Sequence, residues 1–181
     1  MNERRNNMSE SHEESFQRIF EPDEYGRASG FVEWLESPDE PLFWIRGKPG
    51  SGKSTLMKFL PQDERTWRNL NTVHSSWLLI SHFFWMAAQQ PMERNIKGLL
   101  CSLLYQLLRN TPHRLLQSLH LPRLSDIRSK NSHSDWSVKD LKTVLSPAFK
   151  NNTSSVLIVL DSPDECDPSD GPFTLLDLIH D

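Results

Sequence analysis

Cysteine is nearly absent from this 181-residue chain. Cys101 and Cys166 are too few for a disulfide framework and lack the paired spacing of a zinc site, which fits a reducing compartment. A basic excess is missing as well: 20 Lys and Arg stand against 24 Asp and Glu, a net charge of −4, so the composition gives no argument for nucleic acid. No apolar run approaches the roughly 18 residues that a membrane span needs, and the N-terminus has no apolar signal region. The expectation is a soluble, cytoplasmic protein with no nucleic-acid partner and no membrane span. The sequons at Asn151 and Asn152 are then chance occurrences. There is no internal repeat and no heptad run. What remains is chain enough for one domain, with an apolar content of 36% that is slightly lean for its core.

One stretch organises the rest. Residues 42–45 (Leu42, Phe43, Trp44, Ile45) form a short, fully apolar run of the kind that makes a parallel strand buried on both faces. Next come Gly47, Lys48, Pro49, Gly50, Ser51, Gly52, Lys53, Ser54 and Thr55, which meet the pattern G-x-x-x-x-G-K-[ST]. Gly47, Gly50 and Gly52 lack a Cβ, so the backbone can turn through positive φ and bring its N–H groups against phosphate oxygens. Lys53 can reach the β- and γ-phosphates, and the Ser54 hydroxyl is placed to complete the coordination of Mg²⁺. Thr55 continues a helix whose apolar face is Leu56, Met57, Phe59 and Leu60, and whose positive N-terminal end points at the same anion. Pro61 ends that helix. A flexible Gly/Ser loop is the plain alternative; the order of strand, glycine loop and helix favours a phosphate cradle.

The remainder falls in place around it. Residues 1–15 are polar and read as an N-terminal arm, leaving 16–181 as the domain. Phe16, Ile19 and Phe20, then Phe31, Trp34 and Leu35, give two short helical faces. Residues 62–76 are polar, with Trp67 and Leu70 as anchors, and read as cover for an edge. Residues 77–85 are a second strand, in which His82 is a satisfied core or edge histidine rather than a catalytic one. Ile96, Leu99, Leu100, Leu103, Leu104, Leu107 and Leu108 follow the i, i+3, i+4, i+7 rule of the strongest helix, which should lie against the sheet. Cys101 sits off its apolar centre line and reads as structural. Leu115, Leu116 and Leu119 make a shorter helix ended by Pro122, and 125–135 is a solvated loop. Ser137 to Asp140 is a capping box opening a helix that Pro147 breaks or kinks.

The second chemical stretch is Val156, Leu157, Ile158, Val159, Leu160, Asp161, followed by Ser162, Pro163, Asp164, Glu165, Cys166 and Asp167. An apolar strand ending in an aspartate delivers a carboxylate to the C-terminal edge of a sheet, where ligands bind in open α/β folds. Asp161 would hold Mg²⁺, and Asp164 or Glu165 would orient an attacking water as the catalytic acid pair. A strand followed by an acidic turn is the structural alternative. One thiol beside carboxylates makes no separate metal site.

Taken together, the glycine loop with Leu56, Met57 and Lys58, the aromatic strand around Phe83, Phe84 and Trp85, the helix from Gly98 to Leu108, and the Leu160 to Asp167 segment resemble the NACHT-type NTPase module of fungal signal-transduction ATPases. Within it they are most similar to the group whose N-terminal region is like that of nephrocystin. The resemblance covers about Phe16 to the C-terminus and implies a three-layer α/β P-loop NTPase with a mostly parallel sheet. It further implies a nucleotide switch: ADP-bound and closed at rest, ATP-bound and oligomeric when released. By resemblance, Lys53 and Ser54 carry over as phosphate and Mg²⁺ residues, Asp161 as the Mg²⁺ aspartate, and Asp164 and Glu165 as the acidic pair near the water. ATP or ADP over a guanine nucleotide rests on the resemblance alone.

Two departures stand out. Pro163 sits where these proteins usually carry an apolar residue such as leucine. The chain also ends at Asp181, before the strand that in such folds lies between the cradle strand and the Asp161 strand. The expectation is therefore a module incomplete at its C-terminus, with the two chemical strands separated by a gap or forced together. Two functions stay open: Mg-dependent ATP/ADP binding with hydrolysis slow or absent, and a non-catalytic remnant that associates with full-length relatives, other NACHT-type chains or a missing C-terminal portion. A small-molecule kinase fits less well, since none of Arg109, Arg114, Arg123 or Arg128 stands in a lid pattern.

Overall fold

The computed structural model describes residues 16–110, 132 and 135–170. In chain order the main elements are α1 (Gly30–Leu35), α2 (Lys53–Phe59), α3 (Glu64–Val73), β1 (Trp77–Phe83), α4 (Ile96–Asn110), α5 (Val138–Lys150) and β2 (Ser155–Asp161). The expected N-terminal arm, the helix around Leu115, Leu116 and Leu119, and most of the 125–135 loop lie outside the described residues.

β1 and β2 pair in parallel, from Trp77 opposite Ser155 to Phe83 opposite Asp161. The molecule is thus mixed α/β, but its sheet among the described residues has two strands. Residues 42–45, expected as a strand, have no regular structure and belong to no ladder. A strand needs a neighbour's main chain, and among the described residues no main-chain bond reaches this segment. The Phe43 ring lies 5.2 Å from that of Phe31 and 5.5 Å from that of Trp34.

The strands' side chains alternate between two apolar clusters, which therefore take opposite faces of the sheet. Ile80, Phe84 and the partly buried Leu78, Val156 and Leu160 join α4 and α5. Trp77 and Leu157 join Phe31, Leu35, Leu60 and Leu70 on the other side. On the first side, Leu99, Leu100, Leu103 and Leu107 are buried as their spacing predicts. Each such leucine contributes about 1.5–3 kcal/mol relative to exposure. Gly98 lies where α4 passes the preceding turn, and a Cβ there would stand 1.6 Å from the Met92 carbonyl oxygen.

Two local readings change. Residues 62–76 hold a helix, α3: Asp63 caps it by accepting Arg65 N–H at 2.9 Å and pairs with the Arg65 guanidinium at 2.8 Å. That bond holds the Asp63 carboxyl below its ordinary pKa. Thr66 and Leu70 face inward, with the Thr66 hydroxyl donating to Leu60 C=O at 2.7 Å. Pro61 ends α2 as expected, standing in a short 3₁₀ turn, Leu60–Gln62, that follows it. Pro147 does not break α5, which runs on to Lys150 and is closed by Asn151 N–H donating to Pro147 C=O. Its position in the last turn leaves little helix to disrupt. The capping box at Ser137 and Asp140 forms as expected, both halves being present.

Gln106, on α4, reaches the outer edge of β1. Its Oε1 accepts Ser81 N–H at 3.0 Å, and its Nε2 donates to Ser81 C=O at 2.8 Å.

Candidate nucleotide site

Two glycines shape the loop before α2. Gly50 has φ +77° and Gly52 φ +83°, conformations that an L side chain strains to adopt. Ser51 N–H donates to Lys48 C=O at 3.1 Å, closing the turn, and Leu56 N–H to Gly52 C=O at 2.9 Å starts the helix. Gly47, expected to share the positive φ, does not. Its requirement is steric, since a Cβ there would lie 2.7 Å from Ser51 Oγ and 3.5 Å from Lys53 Cδ. Across this mouth Lys53 folds back: its ammonium donates to Gly47 C=O at 2.7 Å and Lys48 C=O at 3.1 Å. Lys48, Pro49, Gly50 and Ser51 are exposed, while Lys53, Ser54 and Thr55 are half-buried on the first turn of α2.

α2 packs beside β2, which carries the acid stretch. Asp161 ends β2 and is 2% exposed; its carbonyl accepts Phe84 N–H at 3.1 Å. Ser162 then turns the chain through φ +52°, the one non-glycine in the left-handed region among the described residues. The short turn Pro163–Glu165 follows. Asp164 is exposed on it, whereas Glu165 is half-buried and its carboxylate accepts Met86 N–H at 3.1 Å. The two members of the predicted acidic pair therefore differ: one faces solvent and the other holds the end of β1.

The family model described as Nephrocystin 3, N-terminal matches residues 26–181. The chain belongs to the nephrocystin-3 N-terminal family. The matched span takes in the glycine loop, both strands and the acidic turn. No curated protein and no solved structure matches the chain.

In this nephrocystin-3 N-terminal family member the acid stretch has anchors that the sequence did not suggest. Asp167 N–H donates to Arg94 C=O at 2.6 Å, and Asp170 accepts Ile96 N–H at 2.6 Å, tying the segment to the start of α4. Asp167 itself is held below its usual pKa by the backbone N–H of Ser169 and then by the Ser169 hydroxyl. These partners lie more than 70 positions apart in the chain, and no local pattern announces them. Cys166, beside them, has its thiol pushed up by burial and then by the Asp170 charge; Cys101 is pushed up by burial. Both are thereby less reactive than a free thiol, in keeping with a structural reading.

His82 is buried as expected, 3% exposed, but neither ring nitrogen has a hydrogen-bond partner among the described residues. Its ring packs edge-on to Phe84 at 4.7 Å, and burial lowers its pKa to about 4. It is a neutral core residue with no site around it. Among the described residues, no group of three or more His, Cys, Asp and Glu is gathered to hold a metal, and no helix is long and apolar enough to cross a membrane.

Proposed function

We propose that this chain is a P-loop nucleotide-binding module of NACHT type, taking a purine nucleotide, ATP or ADP, with Mg²⁺. The observation that carries the reading is the Lys53 ammonium folded onto the Gly47 and Lys48 carbonyls across a loop bent by Gly50 and Gly52. Phosphate oxygens would compete for that ammonium and accept from loop N–H groups such as those of Lys48 and Gly50. Gly50 leaves open space where a Cβ would stand, so main chain can approach an anion closely.

Ser54 and Asp161 fit Mg²⁺ as hard oxygen donors, with phosphate and water completing its shell. The ion would supply charge neutralisation of the phosphates. Hydrolysis in this chain is slow or absent, because Glu165 is engaged with Met86 N–H and Asp164 stands in solvent. A signalling switch in the cytoplasm goes with this reading, and Cys101 and Cys166 as free thiols suit that setting.

The test is calorimetric titration of the folded 181-residue chain with Mg-ADP and Mg-ATP beside Lys53→Ala, circular dichroism serving as the fold check. Saturable binding that weakens by about tenfold or more in the variant is expected. A folded chain that ignores both nucleotides would sink the proposal.

A further inference from the structure

The acidic stretch after β2 is laced to the chain that leaves β1. Phe84 N–H donates to Asp161 C=O at 3.1 Å, Met86 N–H to the Glu165 carboxylate at 3.1 Å, and Asp167 N–H to Arg94 C=O at 2.6 Å, while the Asp170 carboxylate accepts Ile96 N–H at 2.6 Å. The ties at Asp161 and Asp167 join main chain to main chain, and they bracket Glu165. Between them the turn closes on itself, with Glu165 N–H on Ser162 C=O at 2.9 Å and Cys166 N–H on Pro163 C=O at 3.2 Å. The peptide that carries Glu165 is therefore fixed by bonds in which its side chain has no share. Its carboxylate can leave Met86 N–H by side-chain rotation, with the backbone of the turn kept in place.

Met86 sits on a turn of its own. Ala88 N–H donates to Trp85 C=O at 3.0 Å, which puts Met86 at the second position of a β-turn, and Trp85 N–H is tied to Glu93 C=O at 3.0 Å. The Met86 side chain is 48% exposed. What this residue brings to the acidic turn is its main-chain N–H. Asp164, on the same turn as Glu165, faces solvent, so the fold restrains one member of the acidic pair through Met86 and not the other.

We propose that the hydrogen bond from Met86 to Glu165 is an autoinhibitory latch on nucleotide hydrolysis, and that Glu165 is the general base it restrains. The proposal rests on the nucleotide-binding reading above and adds to it how the site is regulated. The bond fixes the direction of the carboxylate, and a general base must instead point at the water whose proton it takes. Once Glu165 rotates off Met86, its carboxylate takes a proton from a water as the water oxygen bonds to the γ-phosphorus. The bond from that phosphorus to the bridging oxygen breaks, its electron pair leaves with ADP, and inorganic phosphate forms. The proton then passes from Glu165 to solvent. Latched, the chain holds its nucleotide uncleaved.

Met86→Pro removes the latching N–H at the turn position that proline favours. In the whole chain at saturating Mg-ATP, phosphate release should rise about tenfold or more, the scale of losing a hydrogen bond to a charged group. Calorimetric affinity for Mg-ADP should stay within about threefold, since the change is in turnover and not in binding. Adding Glu165→Gln to this variant should return phosphate release to the rate of the unaltered chain. A second readout needs no turnover: Met86 amide hydrogen exchange, followed by NMR without nucleotide, should speed up about tenfold or more in Glu165→Ala. Should Met86→Pro unfold, Met86→Gly, which loosens the same turn, takes its place with a gain in phosphate release of at least about threefold.

Undiminished nucleotide binding with no gain in hydrolysis overturns the latch and leaves the nucleotide reading standing. So does a Met86 amide whose exchange Glu165→Ala leaves unchanged. A gain that survives Glu165→Gln assigns the base elsewhere and overturns the proposal as well. If neither the unaltered chain nor the variant binds nucleotide, the reading and the latch fall together.

Discussion

Gln106 stands to Ser81 as a third strand would. Its side-chain amide meets the Ser81 N–H at 3.0 Å and the Ser81 C=O at 2.8 Å, and its Nε2 also reaches Ser102 Oγ at 3.0 Å, so the clamp is braced from its own helix. Edges of sheets that are left open template further pairing. Here one side chain closes the edge at the centre of β1.

Gln106→Ala should therefore lower stability by about 1–3 kcal/mol, the range for removing the partner of buried polar groups. The urea midpoint would fall, and Ser81 amide exchange would speed up. An unchanged midpoint together with unchanged Ser81 exchange would mean that the clamp contributes nothing.

Asp161→Ala should weaken nucleotide binding about tenfold or more in Mg²⁺ and by less than about threefold in EDTA, because a carboxylate serving the metal matters only when metal is present. Equal losses under the two conditions would assign Asp161 a structural role at the end of β2 instead.

His82 gives a pH dependence with a definite sign. Its folded pKa of about 4 lies below the ordinary 6.5, so the unfolded chain binds the proton more readily. Stability from keeping this ring neutral is complete above about pH 6.5. It declines as pH falls through the window to about 4, by roughly 3 kcal/mol in total. His82→Leu should flatten that part of a stability-against-pH curve measured by urea denaturation. The same slope in the variant would show that other groups carry it.

Much of this was legible in the sequence, wherever the requirement is local. The glycine loop, the leucine spacing of α4, the Ser137 capping box and the apolar strand ending in Asp161 each state their structure within a few residues. α3 was missed because its polar surface masks a buried face of only Thr66 and Leu70, although Asp63 marks its start. Residues 42–45 have the composition of a buried strand, but pairing requires a neighbour's main chain, which composition does not reveal. Gly98 is similar: nothing nearby asks for glycine in the first turn of α4, and the demand comes from the Met92 carbonyl. In the candidate site, sequence marked Asp164 and Glu165 alike, while the fold separates them through Met86, 79 positions from Glu165.

Among the described residues, the two apolar clusters lie on opposite faces of a sheet two strands wide. Such a partition allows unequal melting. The half built on α4 and α5 has a continuous leucine seam, while the half that carries the glycine loop holds an open cleft lined by Phe31, Trp34, Phe43 and Leu60. Heating or dilute denaturant should therefore loosen the loop's half first, as a separate cooperative step. Whatever binds there would act as a clasp, merging two unfolding events into one.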